Sequence, residues 1–128
     1  MNLATAIASY KEVKVTEVSD EESPHELIRI VFQVLQENLE TLKKNVHYTD
    51  DRWQKPFNKC MFALSILRES LDFEKGGEVA DSLDALYAFA QKTMLKAVGK
   101  SSAENLEIVF TIIQDISSAW DEIKPPSQ

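Results

Sequence analysis

The sequence is poor in residues that interrupt regular structure, with three glycines and four prolines among 128 residues. So few chain breakers favour long uninterrupted elements, which in a chain of this composition are helices. The single cysteine, Cys60, excludes an intramolecular disulfide and fits a reducing compartment. We expect one domain, because a chain of this length builds one hydrophobic core.

Positive charge is also scarce. The chain has 14 lysines and arginines against 21 aspartates and glutamates, a formal net charge of −7 at pH 7. Nucleic acid and anionic membrane surfaces would be repelled, so we expect neither as a partner. No stretch approaches the roughly 18 apolar residues of a membrane span. The N-terminus lacks the basic region and apolar run of a signal peptide. We therefore expect a cytoplasmic protein without membrane insertion.

Side chains that carry chemistry are few. The two histidines, His25 and His47, form no Glu-x-x-His pair, so we expect no metal and no other cofactor. Cys60 has no histidine near it in the sequence, which favours a buried, unreactive thiol over a nucleophile. Gly76-Gly77 lacks the pattern of a phosphate-binding loop and reads as a turn between helices. These absences argue against an enzyme.

Helical signals dominate what is present. Ser23-Pro24 followed by Glu26 is a capping box with proline at the first helical position. The apolar residues with helical spacing that follow are Leu27, Ile28, Ile30, Val31, Val34, Leu35, Leu39, Leu42 and Val46. This stripe predicts a first helix of about five turns.

Three more helices are expected. Asp50 or Asp51 can cap the second, Pro56 is expected in its first turn, and the apolar stripe runs from Phe57 to Leu71 around much of the helix circumference. Glu78 is expected to begin the third helix after the two glycines, with Gly99 at its end. A capping box at residues 101–104 opens the fourth, which Pro125-Pro126 end.

Short links between four helices predict an all-α, antiparallel four-helix bundle. Residues 23–124 form this bundle in our interpretation, and residues 125–128 form a short tail. Residues 1–22 carry scattered apolar side chains without a helical stripe, and we expect them to pack on the bundle as an N-terminal segment.

One stretch is more specific than composition. Residues 71–80 read Leu-Asp-Phe-Glu-Lys-Gly-Gly-Glu-Val-Ala and resemble the signature of the FliS family of flagellin chaperones. The further matches, in the family's order, are Tyr10, Ser23-Pro24, Leu27-Ile28, Leu83, Leu86-Tyr87, Ala97, Ala119-Trp120 and Ile123. The resemblance covers residues 7–123, nearly the whole chain.

The resemblance implies a cytoplasmic export chaperone that catalyses nothing. Such a protein binds the disordered C-terminal segment of flagellin, prevents premature polymerisation and supports delivery to the flagellar type III export apparatus, docking on the export gate when loaded. We expect a monomer or a weak dimer. The alternative is a non-enzymatic helical adaptor or regulatory bundle that binds another flagellar component or itself.

An exposed apolar groove would receive the partner, because amphipathic segments dock through apolar anchors. The residues that we expect to line it are Leu64, Leu67, Leu71, Leu83, Tyr87 and Phe89. Each of them could equally be ordinary core, since bundle cores use the same residue types. The resemblance also implies that the N-terminal segment, with Ile7, Tyr10 and Val13, covers the groove until flagellin displaces it. A passive N-terminal tail is the alternative.

Overall fold

The structure, a computed structural model, describes residues 24–98 and 103–122. Within these ranges the chain forms four helices: α1, Pro24–Lys44; α2, Asp51–Glu69; α3, Phe73–Lys96; and α4, Ala103–Glu122. Each helix packs against the next, and α1 also packs against α4. The predicted all-α bundle is therefore confirmed. The Ser23 cap, Gly99, residues 1–22 and the tail at 125–128 lie outside the described residues.

Polar contacts between the helices show their relative directions. Between α2 and α3, Arg68 Nε donates to Asp84 Oδ1 at 2.9 Å, and Gln91 Nε2 donates to Ser65 Oγ at 3.1 Å. The earlier residue of α2 pairs with the later residue of α3, so the two helices run antiparallel. Between α1 and α4, the pairs Gln36–Ser117 and Lys43–Glu107 have the same reversed order.

The interior of α1 is a ladder of large apolar side chains. The fully buried ones are Ile28, Phe32, Leu35, Leu39 and Leu42, spaced three or four residues apart on one face. The predicted first helix is confirmed, with three corrections to its stripe. Phe32, which the predicted stripe did not include, is fully buried, whereas Val34 is exposed. Val46 lies beyond the end of α1 at Lys44.

The start of α2 contains an arrangement that the sequence did not predict. Asp50 is the N-cap, as expected, and accepts a hydrogen bond from the Arg52 N–H at 3.0 Å. Pro56, however, lies in the second turn, so the expectation of a first-turn proline is wrong. A proline there cannot donate to the carbonyl of residue 52. The side-chain amide of Asn45 donates to that Arg52 carbonyl instead, at 3.1 Å.

The start of α3 is bent at the glycine pair. The Asp72 side chain caps a first turn by accepting from the Lys75 N–H at 3.1 Å, and the regular helix resumes after Gly77. Gly77 has φ 50° and ψ −129°, a backbone conformation essentially confined to glycine. The chain breaks at the glycine pair as predicted, but the break lies inside α3, because a capped turn at residues 73–76 precedes it. The expected turn between helices at Gly76-Gly77 and the expected helix start at Glu78 are therefore wrong, since residues 70–72 link α2 to α3.

Cys60 lies in the centre of the core. Its side chain is fully buried, and its thiol donates to the Leu35 carbonyl over 3.9 Å. Burial raises the pKa of the Cys60 thiol to about 12, because the low-dielectric interior disfavours the thiolate. The expected buried thiol is confirmed, and at neutral pH it carries almost no nucleophilic form.

The pairing of Asn45 with Pro56 predicts a measurable coupling. Asn45→Ala should destabilise the unaltered chain by about 1 kcal/mol, because the Arg52 carbonyl loses its donor. In a Pro56→Ala background the backbone N–H of residue 56 is restored, and the same change should cost less than half as much. Chemical denaturation of the four proteins measures this, with Asn58→Ala, an exposed asparagine of α2, as the control. Equal costs of Asn45→Ala in both backgrounds would show that the two residues act independently.

The backbone of Gly77 predicts a second effect. Gly77→Ala should lower the free energy of unfolding by about 1–3 kcal/mol, because an L-residue is strained at this φ and ψ. Crowding is not the reason, since an added Cβ would meet nothing within 4 Å. Thermal unfolding followed by circular dichroism measures the loss. Ser82→Ala, an exposed position of the same helix, is the control, and a Gly77→Ala protein as stable as this control would contradict the prediction.

Candidate functional site

The structure buries most of the residues that the sequence predicts to line the groove. Five of its six predicted residues are in the core: Leu64, Leu67, Leu71, Leu83 and Tyr87. Four of them lie on the faces of α2 and α3 that point into the bundle, and Leu71 lies in the link between these helices. Their side chains are therefore not open to a partner in this conformation. Whether they take part in binding stays a prediction. The N-terminal candidates Ile7, Tyr10 and Val13 lie outside the described residues.

Phe89 is the predicted groove residue that lies at the surface, with 49% of it exposed. It follows Tyr87 by two residues, which is about 200° around an α-helix, so burial of one leaves the other pointing outward. The other exposed large apolar side chains among the described residues are Val34, Tyr48, Phe62, Phe73, Leu86, Leu95, Val98 and Ile108. Phe89 is therefore one of several candidates for contact with a partner.

The flank of α3 on which Phe89 lies can be assigned from the polar contacts. Asp84 and Gln91 bond to α2 and mark the α2 side of the helix. Leu86 and Phe89 share a face three residues apart, on the other side of the buried stripe. Because the second neighbour of α3 is α4, these two side chains border the seam between α3 and α4.

The facing flank of α4 is also apolar. Glu107 pairs with Lys43 at 2.9 Å and thereby marks the α1 side of α4. Ile108, Ile112 and Ile116 follow one another at intervals of four residues on the opposite flank, toward α3. Ile108 is 45% exposed, while the other two are half-buried.

Five apolar residues thus border the seam by their helical positions, and we call this set the α3–α4 furrow: Leu86, Phe89, Ile108, Ile112 and Ile116. None of the five carries a titratable group. Beside it, the buried Thr93 hydroxyl donates to the Phe89 carbonyl at 2.8 Å. No buried side-chain N or O atom lacks a hydrogen-bond partner among the described residues. The furrow can therefore bury apolar side chains without leaving a polar group unsatisfied.

Sequence reasoning missed four residues of the furrow, and a signal for three of them was available. The isoleucines recur every fourth residue in α4, which places them on one flank. The fourth helix has apolar residues on several faces, so this row does not stand out from the rest of its apolar stripe. Leu86 matches the family signature, which does not indicate that it is a surface residue.

The seam between α2 and α3 is polar where the furrow is apolar. A cleft of about 330 Å³ is lined by Ser65, Arg68, Glu69, Asp84 and Gln91. Four of the five side chains are bonded to one another across the seam, with Arg68 Nη1 also donating to Gln91 Oε1 at 3.0 Å. These bonds link α2 to α3, and Glu69 is exposed beside them.

Within residues 24–98 and 103–122, no three His, Cys, Asp or Glu side chains converge in a way that could hold a metal ion. None of the four helices is long and apolar enough to cross a membrane.

The sequence of this chain matches a known protein family. The family model described as flagellar protein FliS matches residues 4–127. The chain is 29% identical over 125 residues to the flagellar secretion chaperone FliS of Vibrio cholerae, covering 94% of this chain and 89% of the relative. It is 29% identical over 130 residues to the protein of the same name from Salmonella typhimurium, covering 98% and 94%.

A further relative is the flagellar secretion chaperone FliSB of Pseudomonas aeruginosa, 28% identical over 123 residues, which cover 92% of this chain and 94% of the relative. The match to the family model extends over nearly the whole chain, and it agrees with the signature at residues 71–80 and with the four-helix bundle. The chain belongs to the FliS family of flagellar proteins.

Proposed function

We propose that this protein is a non-enzymatic flagellar secretion chaperone that binds the disordered C-terminal region of flagellin in the cytoplasm. Binding would prevent premature polymerisation and support delivery to the flagellar type III export apparatus. Relatives that match most of this chain are named flagellar secretion chaperones. The bundle and the family signature support the same role.

The observation that carries the proposal is the α3–α4 furrow. Leu86, Phe89 and Ile108 leave between 38% and 49% of their surface exposed. Covering three half-exposed side chains of this size stabilises a complex by about 1 kcal/mol each. Ordering a disordered segment costs about 2–5 kcal/mol or more. The furrow alone would offset much of that cost, and further contacts along the bundle would supply the net affinity.

The buried leucines have a different part in this proposal. Leu64, Leu67 and Leu83 belong to the core that holds α2 and α3 at a fixed separation. Their substitution by alanine would weaken binding through loss of the folded bundle. This distinguishes them from Phe89, whose truncation should weaken binding while leaving stability nearly unchanged.

The first prediction from this proposal concerns the furrow. A peptide of the flagellin C-terminal region should bind the full chain with a negative heat-capacity change, the mark of apolar burial. Phe89→Ala should weaken binding by about fivefold, the equivalent of roughly 1 kcal/mol. Ile108→Glu should weaken it by more than about tenfold, since a carboxylate would be desolvated in the complex. Isothermal titration calorimetry at several temperatures measures both quantities.

Phe62→Ala is the matched control for these variants. Phe62 is 69% exposed on α2, outside the furrow, so its truncation should leave the affinity within about twofold under the usual scatter of surface substitutions. Thermal unfolding of each variant separates lost binding from lost folding. No binding by the unaltered chain would favour the adaptor or regulatory alternative. Equal affinity of all three variants would remove the furrow from the account.

The second prediction concerns residues 1–22 as a displaceable lid, in which Ile7, Tyr10 and Val13 would cover apolar surface until flagellin takes their place. An uncovered apolar surface promotes self-association. Deleting residues 1–18 should therefore raise the weight-average mass at high protein concentration, and the deletion and Tyr10→Ala should each change flagellin affinity. Sedimentation and calorimetry measure these effects. If both variants kept the original affinity and mass, residues 1–22 would be a passive tail.

A further inference from the structure

A second apolar surface lies at one end of the bundle, away from the furrow. The loop from α1 to α2, the start of α2 and the end of α3 enclose an open pocket of about 650 Å³. Its apolar lining includes Val46, Tyr48, Trp53, Phe57 and Val98. The Trp53 and Phe57 rings are stacked, with their centroids 6.0 Å apart, and Val98 leaves 49% of its surface exposed. We call this cavity the end pocket.

No carboxylate is among the described residues that line the end pocket. Its polar groups are neutral at pH 7 in the formal charge count: His47, Thr49, Gln54 and Asn58. One cationic side chain stands at its border. The Arg52 guanidinium lies 3.6 Å from the ring centroid of Tyr48, a lining residue.

The half of the bundle that contains the end pocket is also the less acidic half. When each described helix is divided at its midpoint and the N-caps Asp50 and Asp72 are counted with their helices, the half with the end pocket carries seven basic and six acidic side chains. The opposite half carries three basic and ten acidic side chains. The strong negative charge of the described chain is thus concentrated at the end far from the pocket.

Ion pairing increases the difference in available charge between the two halves of the bundle. In the pocket half, Lys43 pairs with Glu40 and Glu107, and Asp50 pairs with Arg52. The neighbouring Arg52 guanidinium lowers the pKa of the Asp50 carboxyl to about 2, so this pair is fully charged at neutral pH. Four lysines of this half form no ion pair with a described residue: Lys44, Lys59, Lys92 and Lys96.

We propose that the end pocket binds an acidic peptide segment of a partner protein, with a large apolar side chain inserted between Trp53, Phe57 and Val98. An acidic segment is repelled by the strongly acidic half of this molecule, whereas four of the five described cationic side chains that form no ion pair lie in the half with the end pocket. The stacked rings supply the apolar contact that anchors such a segment, and the lysines supply its orientation and association rate. This site is separate from the α3–α4 furrow and does not depend on the flagellin assignment.

Fluorescence anisotropy with the full chain tests the proposal. The probe is a labelled peptide of about twelve residues, with one central phenylalanine between aspartates and glutamates. A matched peptide replaces every acid by its amide, and another replaces the phenylalanine by serine. Each replacement should weaken binding at least about tenfold, because each removes one of the two interactions. Raising the salt concentration from about 50 to about 300 mM should also weaken binding of the acidic peptide, since exposed charges are screened.

Two protein variants locate the site. Val98→Glu puts a carboxylate at the mouth of the pocket and should weaken binding of the acidic peptide at least about tenfold through repulsion and desolvation. Ile108→Glu carries the same change in the furrow and should leave this peptide's affinity within about twofold. Both positions are about half exposed, so both proteins should fold, which circular dichroism checks. The flagellin segment should respond in the opposite way, so the two proposals fail separately.

Three results would overturn the inference. The first is equal binding of the acidic peptide and its amide analogue, and the second is unchanged binding by Val98→Glu. The third is concentration-dependent association of the protein alone that Val98→Glu abolishes, because a second copy of this chain would then be the occupant.

Discussion

The neighbouring helices cover only part of α3, and the exposed apolar surface of this protein depends on that incomplete coverage. The helix buries Leu83, Tyr87 and Met94 on one stripe, and it packs against α2 on one side and α4 on the other. On the α2 side a polar network centred on Arg68 closes the seam. On the α4 side the border residues are apolar and half exposed, so an amphipathic partner can cover them without breaking a hydrogen bond of the bundle.

The local features of the fold could be predicted because they depend on short-range chemistry. The N-cap at Asp50 and the chain break at the glycine pair follow from side-chain and backbone preferences within a few residues. The hydrogen bond that replaces the missing Pro56 N–H could not be predicted in this way. Its donor is the side-chain amide of Asn45, on the other side of a loop, and only the folded structure brings that amide to the Arg52 carbonyl.

The candidate site was harder to predict than the fold. Tyr87 and Phe89 are both aromatic and differ by two positions, yet one is fully buried and the other is half exposed. On helices that are apolar around much of their circumference, periodicity does not decide which face is covered, because the neighbouring helix makes that choice. The same ambiguity explains why periodicity did not predict the burial of Phe32 or the partial exposure of the isoleucine row of α4. The family resemblance predicted that a partner surface exists, and the exposure of individual residues came from the structure.

The most direct test of whether the furrow binds the flagellin C-terminal segment is a comparison of isoleucine methyl chemical shifts. They are recorded in the full chain with and without that segment. Ile108, Ile112 and Ile116 report on the furrow, and Ile28, fully buried in α1, reports on the core. If the furrow receives the segment, the three furrow methyl signals shift as the segment is added, while the Ile28 signal stays in place. Shifts confined to Ile28, or to Ile66 on α2 with the α4 isoleucines unchanged, would contradict it.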